Sequence, residues 1–83
     1  MIKKIVKYEA DWCHLCKTMD QNLAKLQNVE IEHVNVDDLE EHELDKLQIR
    51  NLPVCLLFNE SGEQVARLNG PKTYQELQAA INQ

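Results

Sequence analysis

Two periods of apolar residues alternate along the chain, and the switches between them outline its elements. At the start, β-branched Ile2, Ile5 and Val6 suit a strand. From Lys17 onward Met19, Leu23 and Leu26 recur at the spacing of one helix face, with Asn28 as the stop. Val29 to Val36, carrying Ile31 and Val34, predicts a mostly buried strand. A second helix is expected from about Leu39 to Leu47, with Leu44 and Leu47 facing inward. Its acids come early and Lys46 late, as the helix dipole favours.

Pro53 interrupts the pattern and holds Leu52 extended. The continuous apolar run Val54 to Phe58 predicts a buried strand. Asn59-Glu60-Ser61-Gly62 is turn chemistry, and Gln64 to Leu68 returns as the second arm of a hairpin. After the break at Gly70-Pro71, Thr73 and Glu76 form a capping-box pattern for a last helix with Tyr74, Leu77 and Ile81 inside. The order is β-α-β-α-β-β-α. Helices between strands imply parallel crossovers, and the hairpin implies an antiparallel edge. The expected fold is therefore α/β, a four-stranded mixed sheet flanked by three helices.

Composition narrows this further. A length of 83 residues suits one domain over 1–83, and two glycines with two prolines leave little room for a linker. No stretch has the length or apolarity of a membrane span. The charged N-terminus is not followed by the apolar block and cleavage site of a signal peptide, so a cytoplasmic location is expected. In that reducing setting a close cysteine pair is more often catalytic or metal-binding than structural. The net charge of −5 argues against nucleic acid or an anionic membrane as partner. The acids gathered between Asp37 and Glu43 read as a solvated face at a helix start.

The chemistry concentrates in Trp12-Cys13-His14-Leu15-Cys16, at the junction of the first strand and first helix. A reversible dithiol needs two sulfurs able to bond at about 2 Å, and a spacing of three across the first helical turn allows it. The first cysteine also sits where free backbone N–H groups and the helix dipole favour an anion. Cys13 is therefore assigned as the attacking thiolate and the more buried Cys16 as the resolving thiol. No metal or organic cofactor is needed for this exchange. A zinc knuckle is the competing reading. It requires two further ligands, and Cys55, His14, His33 and His42 are present without forming a second pair. A CxxC alone is a weak signal; the strand before and the helix after are what favour redox chemistry.

Several segments together resemble the thioredoxin family: Tyr8-Glu9-Ala10-Asp11-Trp12-Cys13-x-x-Cys16-Lys17, Val34-Asn35-Val36-Asp37 and Ile49-Arg50-Asn51-Leu52-Pro53, followed by Leu56-Leu57-Phe58, Gly62-Glu63 and Gly70. The resemblance covers nearly the whole chain, without the family's usual first strand and helix. Its extent is thus as small as a glutaredoxin's, while its motifs look more like thioredoxin's. It implies a cis bond at Leu52-Pro53 beside the dithiol and a substrate groove bordered by Trp12, Asn51, Leu52, Pro53 and Gly70. It also implies a monomer acting on disulfide-containing proteins in cell redox homeostasis, recharged by a flavin-dependent thioredoxin reductase.

Departures from the family bear on redox tuning. His14-Leu15 stands where typical thioredoxins carry Gly-Pro; a protonated His14 would stabilise the Cys13 thiolate, a solvated neutral one would do less. Lys7 aligns with a buried acid of the family, and either favours a thiolate electrostatically or turns its amine to solvent. His33 is a candidate proton carrier or an exposed strand-edge histidine, and Glu9 and Asp11 are further candidate bases. Cys55 reads as a small core hydrophobe. The leading function is reduction of protein disulfides. Two alternatives stay open: a glutaredoxin-like enzyme recycled by glutathione, and a non-enzymatic zinc-binding or adaptor module.

Overall fold

Strand β1 (Ile2–Glu9) has a neighbour on each side, the setting in which its β-branched residues pack best. The computed structural model describes residues 1–82; Gln83, the last position of the expected domain, lies outside the described residues. After β1 come α1 (His14–Leu23), β2 (Glu30–Asn35), a 3-10 turn (Val36–Asp38), α2 (Glu41–Leu47), β3 (Val54–Asn59), β4 (Gln64–Asn69) and α3 (Tyr74–Ile81). The order β-α-β-α-β-β-α and the four-stranded mixed sheet match the sequence pattern, with strands ordered β2-β1-β3-β4.

Strand direction departs from expectation at one connection. β1 and β2 are parallel, but β3 runs antiparallel to β1, as β4 does to β3. The connection through α2 leaves the chain at the end of the sheet from which it set out. β3 therefore starts where β1 and β2 finish, with Val54 opposite Tyr8. Pro53 consequently stands at the same end of the sheet as the head of α1.

The main core lies on the sheet face covered by α1 and α3. Ile5, Cys55 and Leu57 meet Met19 and Leu23 of α1 and Leu77, Ala80 and Ile81 of α3 there. On the opposite face Tyr8 packs in a smaller cluster that includes Leu44 of α2. Arg67 of β4 donates to the main-chain oxygens of Leu47 (2.5 Å) and Gln48 (2.8 Å), satisfying carbonyls left open at the end of α2.

Element boundaries shift for local reasons. α1 closes at Leu23 instead of continuing to Leu26, because Lys25 and Leu26 turn their N–H groups back to Asn22 and Leu23. Leu26 still packs on the core, and Asn28, at φ +63°, turns the chain into β2. β2 is shorter than Val29–Val36 and is not mostly buried: it is an edge strand with one neighbour, and Glu30, Glu32 and His33 are exposed. Val36 is buried, but in the 3-10 turn. α2 starts at Glu41, since the Glu40 N–H is taken by the Glu43 carboxylate (3.2 Å), and Leu44 and Leu47 are only half-buried. The Thr73–Glu76 box forms in both directions (2.9 and 3.1 Å), and those bonds hold the Glu76 carboxyl below its ordinary range.

Burial ranks the leucines. Leu57→Ala, which empties a fully buried position in β3, is expected to cost about 3 kcal/mol in urea unfolding. Leu44→Ala should cost less than half of that, and equal losses would show that the two clusters are not ranked as described.

Candidate active site

β1 ends three residues before Trp12, and the chain turns sharply there: the Cys13 N–H donates to the Ala10 oxygen (3.0 Å). Cys13 is the N-cap of α1, in an extended conformation, and its Sγ accepts the Cys16 N–H at 3.1 Å. The two cysteines are paired as a disulfide, their Cα atoms 5.3 Å apart. Cys13 keeps 7% of its surface and Cys16 1%, so an incoming group reaches Cys13 first. Ala10 and Val36 pack against the pair, with half-buried Tyr8, Leu44, Ile49 and Leu52 around them.

Leu52 thus belongs to the dithiol's own cluster. The Leu52-Pro53 peptide is cis, and the Pro53 oxygen accepts the Gly70 N–H at 2.9 Å. Gly70 has φ +85°, and a Cβ there would meet nothing within 4 Å, so backbone conformation and not space favours glycine. Trp12 is exposed beside Cys13, its indole N–H donating to Asp37 Oδ2 at 3.0 Å. His14 and Leu15 are exposed on the first turn of α1. Asn51, exposed next to Leu52, lines a shallow cleft with Arg50, Arg67 and Asn69. Asp11 is exposed in the turn. The role of Asp37 in holding Trp12 was missed in the sequence, where the acidic run reads as a solvated face.

Behind the dithiol lies a second constellation. Lys7 is completely buried, which excludes an amine turned to solvent. Its Nζ donates to Glu9 Oε1 (2.7 Å), Asp20 Oδ1 (2.5 Å) and the main-chain oxygen of Cys16 (2.8 Å). His33, which faces Lys7 across the β1–β2 pairing, places Nδ1 2.8 Å from the same Glu9 oxygen. Glu9 loses some solvation, which pushes its pKa up, but hydrogen bonds and charge from Lys7 and His33 prevail and hold it below the ordinary 4.5. Asp20 was missed. The available signal was its place four residues after Cys16, on the same helical stripe.

Glu9, Asp20 and His33 are the one group among the described residues whose side chains could converge on a metal ion. The Lys7 ammonium already donates to both carboxylates, so an internal cation takes the place a metal would need. Among the described residues, no group of three or more potential metal ligands includes Cys13 or Cys16. Cys55 is buried opposite Lys7, and loss of solvation pushes its thiol up to about 12.

Two measurements follow from these environments. In the reduced native protein at about pH 8, iodoacetamide should modify Cys13 but spare Cys55 until the chain is unfolded; labelling of Cys55 in the native state would contradict its burial. Because the Glu9 pKa is lowered by folding, its contribution is present above pH 4.5 and is lost as pH falls through the folded value. Glu9→Gln should therefore be less stable than wild type at neutral pH, and the gap should narrow in urea titrations as pH falls below 4.5.

The family model described as Thioredoxin matches residues 2–83. No curated protein matches the chain. Among solved structures, thioredoxin-2 of a malaria parasite superposes with a TM-score of 0.82 at 22% identity, over 98% of this chain and 82% of that one, a likeness of fold. Thioredoxin f2 of Chlamydomonas reinhardtii gives 0.78 at 29% identity, over 95% and 75% of the two chains. A thioredoxin of Nicotiana alata gives 0.76 at 29%, over 95% and 70%. With the family model spanning all but the first residue, and the cysteine pair at the head of α1 in this fold, the chain belongs to the thioredoxin family.

Proposed function

We propose that the protein is a thiol–disulfide oxidoreductase that reduces disulfides of other proteins through Cys13 and Cys16. The observation that carries this reading is the paired cysteines at the N-terminus of α1, with Cys13 outermost. In the reduced form, the Cys13 thiolate attacks one sulfur of the substrate disulfide and the other leaves as a thiolate. Cys16, losing its proton, then attacks Cys13, and the first substrate sulfur leaves in turn. Two electrons pass to the substrate and the protein ends as the disulfide. A flavin-dependent thioredoxin reductase is the proposed source of the electrons that restore the dithiol. Trp12, Leu52, Pro53 and Gly70 supply the rim against which the substrate segment lies.

The free N–H groups and the dipole at the start of α1 favour an anion at Cys13, which suits it to be the attacking thiolate.

Insulin reduction, assayed separately with the NADPH-driven reductase and with glutathione and its reductase, tests both halves of the proposal. Turnover with thioredoxin reductase is expected; activity with glutathione alone would transfer the protein to the glutaredoxin-like reading. In cells, Cys16→Ser is expected to accumulate mixed disulfides through Cys13. If no partner is trapped and insulin is not reduced, the chain is a binding module and not an enzyme.

A further inference from the structure

We propose that Lys7 is a positioning residue for the exchange reaction: it fixes one positive charge beneath the dithiol, and so keeps the reduced pair as one thiolate and one thiol. This rests on the exchange chemistry proposed above. Lys7 is the one fully buried charged residue among the described residues, and the side chains sharing its face, Ile5, Cys55 and Leu57, are apolar. Burying a charge is costly even when paired, and an apolar side chain of similar volume would serve packing as well or better. Packing therefore does not account for an ammonium at this position.

Its geometry does give it something to act on. Nζ stands 2.8 Å from the main-chain oxygen of Cys16, between β1 and α1, pinned by Glu9 from the strand and Asp20 from the helix. Around it, β2 contributes His33 and β3 contributes the neutral thiol of Cys55. Two carboxylates nominally outweigh one ammonium. However, the Glu9 and Asp20 side chains keep 25% and 43% of their surface, while Lys7 keeps none. At the neighbouring buried thiol of Cys55 the ammonium acts more strongly than either acid, which water partly screens, and it reaches Cys16 through a low-dielectric interior. Reduction of the protein disulfide takes up two electrons and one proton, leaving one thiolate and one thiol. In the forward reaction that pair becomes the disulfide again, and the substrate leaves as one thiol and one thiolate. A nearby fixed cation favours the thiolate-bearing form.

The test uses the reduced full chain, following the pH dependence of Cys13 alkylation by iodoacetamide and the equilibrium with glutathione. In Lys7→Met combined with Glu9→Gln and Asp20→Asn, no carboxylate is left stranded. Alkylation near neutral pH is expected to fall about tenfold. The glutathione equilibrium should move about tenfold toward the disulfide, about 30 mV. A folded variant with an unmoved alkylation profile and equilibrium overturns the proposal, since a purely structural lysine would leave both in place. Should that variant not fold, Asp20→Asn alone, which keeps the ammonium paired with Glu9, should make Cys13 alkylation at mildly acid pH faster; an unchanged or slower rate overturns it equally. Wild-type failure to reduce insulin would instead remove the exchange function, so the two failures are distinct.

Discussion

An ammonium with no access to water survives in this interior because three oxygens converge on it. One comes from β1 itself, and two come from α1: the Asp20 carboxylate and the Cys16 carbonyl. Desolvating a charge costs several kcal/mol unless such partners are in place, so the arrangement constrains both elements. It fixes where the head of α1 lies over the end of β1, and with it where Cys13 and Cys16 stand. Removing one oxygen would leave the others bearing a buried charge they could not satisfy alone.

The other half of the site reaches the same place through strand direction. The connection through α2 leaves the chain at the end of the sheet from which it set out, so β3 begins beside the end of β1. Leu52 and Pro53 then fall against the dithiol cluster, and β4, paired with β3, ends at Asn69, one residue before Gly70, whose N–H reaches the Pro53 oxygen. Two separate causes thus meet at one end of the sheet. Neither produces the site by itself.

What could be read from the sequence was what depends on neighbours in the chain. The Thr73–Glu76 box, the buried run from Val54, the hairpin turn and the cysteines at a helix start are all set within a few residues. The antiparallel direction of β3 and the exposure of β2 depend on how elements are arranged in space. A run such as Ile31-x-x-Val34 reads as buried whether one or two strands flank it, and here only one does. The fate of Lys7 was less legible still. Its partners lie two, nine and thirteen residues away, and whether its amine turns inward is decided by Asp20 on another element. Cys55 was read correctly as a core residue, because an apolar run on both sides of it is local information.

The residues that depart from the family pattern do not have equal leverage on the sulfurs. His14 and Leu15 lie between the cysteines in sequence but point outward into water. Two unit charges about 4 Å apart interact by about 1 kcal/mol in bulk water, against about 4 kcal/mol near a protein surface at an effective dielectric of about 20. A charge on an exposed His14 is further weakened by dissolved ions. Lys7 lies in the opposite situation, buried against the Cys16 main-chain oxygen and without water. Proximity in sequence therefore does not rank the influence: the position between the cysteines is the visible departure, and the buried one, the sixth residue of the first strand, is on the proposal above the one that acts through the stronger field.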